Sequence, residues 1–352
     1  MDVGSFDPEE VISDNGNYFG MPLRPEDSAL VLISAPWDVT VSYRAGTSYA
    51  PDAIIDVSRQ IDFYDPAAPD AWRKGIATAP IDYSIQDVSH RLRRDAERVI
   101  ANLEEGGSRI IADEFYARKV RKINEASAEV NGKIFAQSQH WLAEGRIVGL
   151  VGGDHSTAYG LIRAVGERHG SFGVLQIDAH CDLRDSYEGF EHSHASIMSN
   201  VLRDVPQIER LVQVGVREFS HREWERAQSD ERIAMFSGHL LSTQRAEGMT
   251  WREQCDRIIE SLPQKVYVSL DIDGLSVECC PHTGTPVPGG LSFVEATYLL
   301  GRIADSGRSI VGFDLVEVVP VIEDRIDAVV AARMLFKLCG AALKHVDAPD
   351  VI

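Results

Sequence analysis

The sequence predicts an α/β protein with a mostly parallel sheet covered by helices on both faces, and three observations carry that expectation. Short apolar runs recur along the chain and are continuous rather than alternating, as expected of strands buried on both sides. Helical patterns separate them. Four of the runs end in clustered polar residues, "GGDHS", "DAHCD", "DID" and "VEVVP", at the edge where ligands gather in parallel sheets.

In chain order, the strand candidates are "ALVLISAP" (29–36), "RIVGLVGG" (146–153), "SFGVLQID" (171–178), "RLVQVGVR" (210–217), "KVYVSLDID" (265–273) and "SIVGFDLVEV" (309–318). Helices are expected over 88–105, 113–145, 156–170 and 292–307, with a closing helix over 325–346. Residues 1–25 read as a polar N-terminal arm and 26–352 as a single domain. A length of 352 residues with 44% hydrophobic content supplies enough apolar material for such a core.

A formal net charge of −19 argues against nucleic acid and anionic membranes as partners and suits metal cations or a cationic substrate. No run approaches the roughly 18 apolar residues of a membrane span. The acidic first residues do not read as a signal peptide, so a cytoplasmic location is the default expectation. Five scattered cysteines without CxxC spacing argue against a disulfide framework.

The strand ends carry the chemistry. Side chains two apart on a strand share a face, so Asp178, His180 and Asp182 are expected to converge, with Cys181 pointing away and Asp185 out of register. Asp271 and Asp273 repeat the pattern, and His155 follows a Gly–Gly turn with Ser156 placed to cap the next helix. One such aspartate alone is most often a cap or turn residue; three motifs in order on one parallel sheet are not explained that way. Carboxylate and imidazole ligands suit Mn²⁺, Ni²⁺ or Co²⁺ better than a structural zinc. Four carboxylates balance two divalent ions, which at roughly 3.5–4 Å apart could share a bridging hydroxide.

The ordered set "GGDHS", "DAHCD", "SLDIDGL", "TGTPVPGGLS" and "GFDLVEVVP" resembles the ureohydrolase family, which includes arginase, agmatinase, formiminoglutamase and guanidinobutyrase-type enzymes. The similarity spans residues 29–345. It implies a three-layer α/β/α fold with an eight-stranded parallel sheet, a trimeric or hexameric homo-oligomer, and two divalent metals, Mn²⁺ or Ni²⁺. It also implies hydrolysis of a linear C–N bond in a small cationic guanidino substrate with release of urea. By motif, His155, Asp178, Asp182 and Asp271 would hold one metal. His180 and Asp273 would complete the second, with Asp178 and Asp271 bridging. Glu317 matches the carboxylate that holds the guanidinium, whose planar fork of donors suits it. The implied mechanism is attack by metal-bound hydroxide on the guanidinium carbon, then departure of a protonated amine. Asp182, Glu317 and a histidine shuttle form the catalytic set. Histidine suits that shuttle at neutral pH, and "GFEHSHASIM" offers His192 and His194. His194, followed by small residues as in the family, is preferred.

The departures bear on substrate. Arg184 stands where arginases carry an asparagine reading the α-amino group, and it would repel an α-ammonium. The "SHAS" loop is closer to the agmatinase side. Ser276–Val277 replace the usual Asp-Pro, and Cys279, Cys280 and His282 enter a loop usually small or apolar. His282 is a candidate for the mouth of the site, and Trp37 and Tyr43 are candidates to wall a cation pocket. The expected substrates are therefore agmatine, guanidine, alkylguanidines or biguanides. Formiminoglutamase-like hydrolysis, with Arg184 or Arg44 reading a substrate carboxylate, is a second reading. A catalytically idle paralogue acting as subunit of a larger assembly is a third.

Overall fold

Eight strands form one sheet in the computed structural model, which describes residues 6–106 and 113–346. They are β1 (Leu30–Ala35), β2 (Ile76–Thr78), β3 (Ile147–Gly152), β4 (Phe172–Ile177), β5 (Ile208–Val214), β6 (Ile233–Phe236), β7 (Lys265–Asp271) and β8 (Ser309–Val316). Their order is β2-β1-β3-β8-β7-β4-β5-β6, and every pairing is parallel. The helices are α1 (Ala50–Ser58), α2 (Tyr83–Glu104), α3 (Glu114–Ala143), α4 (Ala158–His169), α5 (Ile197–Asp204), α6 (His221–Ser229), α7 (Gly238–Ala246), α8 (Trp251–Glu260), α9 (Phe293–Asp305) and α10 (Ile326–Leu343).

Alternate strand residues feed two separate cores. Leu30, Leu32, Leu175, Val268 and Leu270 pack with α1 and α7 to α10 on one face. Val31, Ile33, Val174, Leu211 and Tyr267 pack with α2 to α6 on the other. The strands are therefore mainly apolar toward both faces, with a few polar interruptions, and the three layers expected from the sequence are present. Each fully buried aliphatic side chain contributes about 1.5–3 kcal/mol of transfer free energy.

Six strands coincide with the apolar runs. The two others, β2 and β6, are the outermost, with three and four residues. The packed chain also begins earlier than residue 25. Tyr18, Phe19, Met21 and Leu23 are buried, the Tyr18 hydroxyl lies 2.8 Å from Ser34 Oγ, and Phe19 N–H donates to Ser58 Oγ at 2.7 Å. The reason is the apolar content of "YFGMPL", which covers the β1–α1 end of one core. No helix among the described residues is long and apolar enough to cross a membrane.

Candidate metal centre

The four central neighbours β3, β8, β7 and β4 bring their carboxyl ends together, and each releases a polar segment there. Two glycines permit the approach. A Cβ on Gly153 would fall 1.9 Å from the Trp37 carbonyl oxygen, and one on Gly274 would fall 2.6 Å from the Asp178 amide nitrogen. No side chain fits at either place.

The convergence of Asp178, His180 and Asp182 does not follow from strand alternation. The strand ends at Ile177, and the next residues turn. The Asp178 carboxylate accepts the His180 amide at 2.6 Å, and Asp271 repeats this with the Asp273 amide at 2.9 Å. Asp154 does the same for Ser156 at 3.0 Å. This local bonding of Asp to the amide two residues on orients each carboxylate, and at Asp271 it leaves Oδ2 turned to His155. Asp182 sits at φ 54 and Glu317 at φ 62, a left-handed region that costs a non-glycine residue about 1–3 kcal/mol. Neighbours hold both: the Asp182 carbonyl accepts the Met198 and Ser199 amides opening α5, while Glu317 donates its amide to Gly153 and accepts Thr283 Oγ1 on its carbonyl.

Two overlapping ligand groups result, His155–Asp178–Asp271 and Asp178–His180–Asp273, each with its donor atoms within 4.8 Å of one another. Asp182 joins the first: its Oδ2 is 2.9 Å from His155 Nδ1, with Asp178 Oδ2 at 3.2 Å and Asp271 Oδ2 at 3.5 Å. His180 Nδ1 is 3.0 Å from Asp273 Oδ2 and 3.6 Å from Asp178 Oδ1. His155 Nδ1 is buried without a hydrogen-bond partner while facing three carboxylates. That orphaned nitrogen, with four carboxylates and a second imidazole around it, fits a pair of divalent cations in charge and in donor type.

The titration behaviour has the same cause. Burial pushes Asp182 up to about 7, aided by the neighbouring Asp178 charge. Burial and the Asp273 and Asp178 charges likewise raise Asp271 well above the carboxylate range. Burial acts the same way on Asp178, but hydrogen bonds and charge from His155 and His180 override it and hold that acid low. Burial opposes protonation of His180, yet the Asp273 and Asp178 carboxylates raise it to about 12. Without metal the cage thus retains protons, and these compete with cations for the same atoms.

Beside the cage opens a cleft of about 410 Å³ lined in part by Ser42, His180, Asp182, Arg184, His194 and Glu218. His194 Nε2 lies 3.4 Å from Ser42 Oγ, and burial with the nearby His180 and His155 lowers its pKa to about 3, leaving a neutral imidazole. His192 is not among the residues lining the cleft and packs on the Tyr159 ring at 5.1 Å. Glu317 is buried beside the cage: its Oε1 accepts the His155 amide at 2.8 Å, and burial with the Asp154 charge raises its pKa. Arg184 lines the cleft, but its Nε is 3.6 Å from Glu223 Oε2 and its guanidinium lies over the Tyr187 ring at 4.7 Å.

Three expected substrate contacts are not among the residues lining the cleft. Trp37 is buried in the core, because the chain turns inward after β1. Tyr43 is exposed under the Arg44 guanidinium. His282 is turned to α10, its amide donating to Asp327 Oδ1 at 3.0 Å and its Nδ1 lying 2.8 Å from Asp327 Oδ2. It braces the loop whose Thr283 holds the Glu317 carbonyl. His282→Ala, which strands a buried carboxylate oxygen, should cost about 1–3 kcal/mol of stability, read as a lowered denaturation midpoint. Cys181 and Cys280 are buried free thiols and Cys279 a partly exposed one; Cys280 Sγ donates to the Ile272 carbonyl. The buried polar residues Gln176, Gln213, Ser269 and Asp314, which the sequence reading missed, stand mid-strand behind the cage. Gln176 Nε2 donates to Asp178 Oδ2 at 2.7 Å, and Gln213 Nε2 donates to Gln176 Oε1 at 2.7 Å. Each interrupts an apolar run, which is the signal that could have found them.

Comparison with known proteins agrees with this geometry. The chain is 30% identical over 298 residues to the N(1)-aminopropylagmatine ureohydrolase of Thermus thermophilus, covering 84% of each chain. It is 27% identical over 308 residues to the agmatinase of Bacillus anthracis, covering 87% of this chain and 89% of the relative. The fold superposes on proclavaminate amidino hydrolase from Streptomyces clavuligerus with a TM-score of 0.72 at 22% identity, covering 96% of this chain and 99% of that one. Residues 28–340 match the model of the Arginase family, and the chain belongs to that family.

Proposed function

We propose that the chain hydrolyses a small guanidino compound to urea and an amine, using two divalent metals held by His155, Asp178, Asp182 and Asp271 on one side and by Asp178, His180, Asp271 and Asp273 on the other. As a family member with agmatinase-like relatives, it is a hydrolase of C–N bonds in linear amidines. The observation that carries the finer reading is the shared Asp178, which belongs to both ligand groups, two of whose neighbours, His180 and Asp182, line the cleft. Bound there, the metals would supply water activation and Lewis acidity at neutral pH.

The chain's own residues do the rest. Glu317, with one oxygen tied to the His155 amide, presents the other to the guanidinium and fixes its plane. His194 is within the cleft as a neutral imidazole, able to accept a proton released by the attacking water and pass that same proton to the departing amine. Arg184 is paired with Glu223, so the cleft presents no uncompensated cation to a positively charged tail, and Glu218 adds a negative charge at its edge. This favours agmatine-like, alkylguanidine or biguanide substrates over guanidino acids, and it weakens the formiminoglutamase reading: Arg184 is paired, and Arg44, the other basic candidate, donates to the Pro281 carbonyl and is not among the residues lining the cleft. The names of the relatives at 30% and 27% identity point the same way, while a relative at 26% identity is a guanidinobutyrase, which keeps guanidino acids in the screen. Assembly as a homo-oligomer and the choice between Mn²⁺ and Ni²⁺ belong to the same proposal.

The test is metal analysis of the purified chain, then a urea-release screen over agmatine, guanidine, alkylguanidines, biguanides and guanidino acids with Mn²⁺ and Ni²⁺ compared. Two bound metals with no urea from any of them would favour the idle-paralogue reading. His194→Ala should lower turnover by about 10²–10⁴-fold with both metals retained. His192→Ala should stay near wild type; the reverse pattern would move the shuttle to His192.

A further inference from the structure

The imidazole of His155 is braced from behind by buried groups on the two strands beneath it. Its Nε2 lies 2.8 Å from Ser269 Oγ, which donates to Asp314 Oδ1 at 3.1 Å. The Tyr267 hydroxyl donates to Asp314 Oδ2 at 2.8 Å. Ser269 and Asp314 face one another in the β7–β8 register, Tyr267 stands two residues before Ser269 on the same strand face, and all three are fully buried. Two hydroxyls and a carboxylate inside a sheet are costly unless each is satisfied. Here the two hydroxyl protons both go to Asp314, so the Ser269 oxygen is left to accept the Nε2 proton of His155. That bond fixes the tautomer and aims the Nδ1 lone pair at Asp178, Asp182 and Asp271. His180 has no such brace: its outer nitrogen is 3.9 Å from Glu218, whose side chain is 67% exposed.

We propose that Ser269 and Asp314, with Tyr267 behind them, are positioning residues that hold His155 in the orientation and tautomer required by the cation it ligates. The inference rests on the metal reading above. It predicts an effect confined to one of two cation positions, which a general loss of packing would not produce.

The experiment strips the full-length chain of metal with a chelator and titrates it with Mn²⁺ by calorimetry, with the thermal midpoint of the apoprotein measured alongside. Wild type should bind two ions. Ser269→Ala should weaken one of them by about 10–100-fold, leave the other within about threefold, and keep the apoprotein midpoint near wild type. Ser269→Thr, which keeps the hydroxyl on a residue suited to a strand, should restore wild-type binding. Asp314→Asn, a weaker acceptor of similar volume, should weaken the same ion by about three- to tenfold and decides the matter if Ser269→Ala does not fold. Ser269→Ala binding both ions as tightly as wild type, or losing both in step with a fallen midpoint, would overturn the proposal. A wild-type chain that binds no Mn²⁺ or Ni²⁺ would instead overturn the metal reading beneath it.

Discussion

Asp178→Asn is expected to lose metal and to reduce urea release by about a thousandfold or more. Asp178 belongs to both ligand groups, with Oδ2 toward His155 and Oδ1 toward His180. Both oxygens also accept protein donors, Oδ1 from the His180 amide and Oδ2 from Gln176 Nε2. An asparagine has one oxygen, so its amide group must face a donor in either orientation while the cage loses one negative charge. Metals at such a centre supply several kcal/mol of transition-state stabilisation, and each 1.36 kcal/mol is tenfold in rate, which sets the scale. The measurement pairs elemental analysis with urea release from the best substrate of the screen. A variant that keeps two metals and wild-type turnover would sink the dinuclear reading.

The legible part of the molecule is the part buried on both sides. β1, β3, β4, β5, β7 and β8 announce themselves as continuous apolar runs because both faces of the sheet are covered. β2 and β6 are too short to make such a run and are supported on one side only. The short helices α6 and α8 carry a readable signal that periodicity alone passes over. Ser220 with Glu223, and Thr250 with Glu253, form reciprocal capping boxes at their starts.

At the site, residue type was legible and backbone path was not. The motifs name Asp178, His180, Asp182, Asp271 and Asp273, and the structure brings them together. Alternation requires an extended strand, whereas the chain leaves β4 at Ile177 and turns at Asp182 with a positive φ. No spacing rule states a dihedral angle of that kind. Nor does an aromatic residue in a loop reveal which way it turns. Trp37 stands two residues past the end of β1, donates its amide to the Ala35 carbonyl and goes inward, while Tyr43 stays outside. Arg184 shows how a partner changes a charge argument: with Glu223 beside it and Tyr187 beneath it, it neither repels a cation freely nor offers a free anion site.

Glu317→Gln should separate substrate capture from metal binding. Glutamine keeps an amide oxygen for the His155 amide, matches the volume, and places no new demand on a backbone already at φ 62. Metal content and thermal midpoint should therefore stay near wild type. What is lost is the charge opposite the guanidinium, in a buried position where solvent cannot replace it. Removing one member of a buried, hydrogen-bonded charge pair costs about 2–5 kcal/mol, so kcat/KM should fall by roughly 1.5 to 4 orders of magnitude. The fall should be shared by every guanidino substrate the enzyme accepts, since each offers the same planar group, whereas a change at the Arg184–Glu223 end of the cleft should alter the ranking among tails. Steady-state kinetics on two substrates with different tails, with metal content measured on the same samples, distinguishes these outcomes. A variant with wild-type kcat/KM would show that the guanidinium is held by some other group and would remove Glu317 from the proposed chemistry.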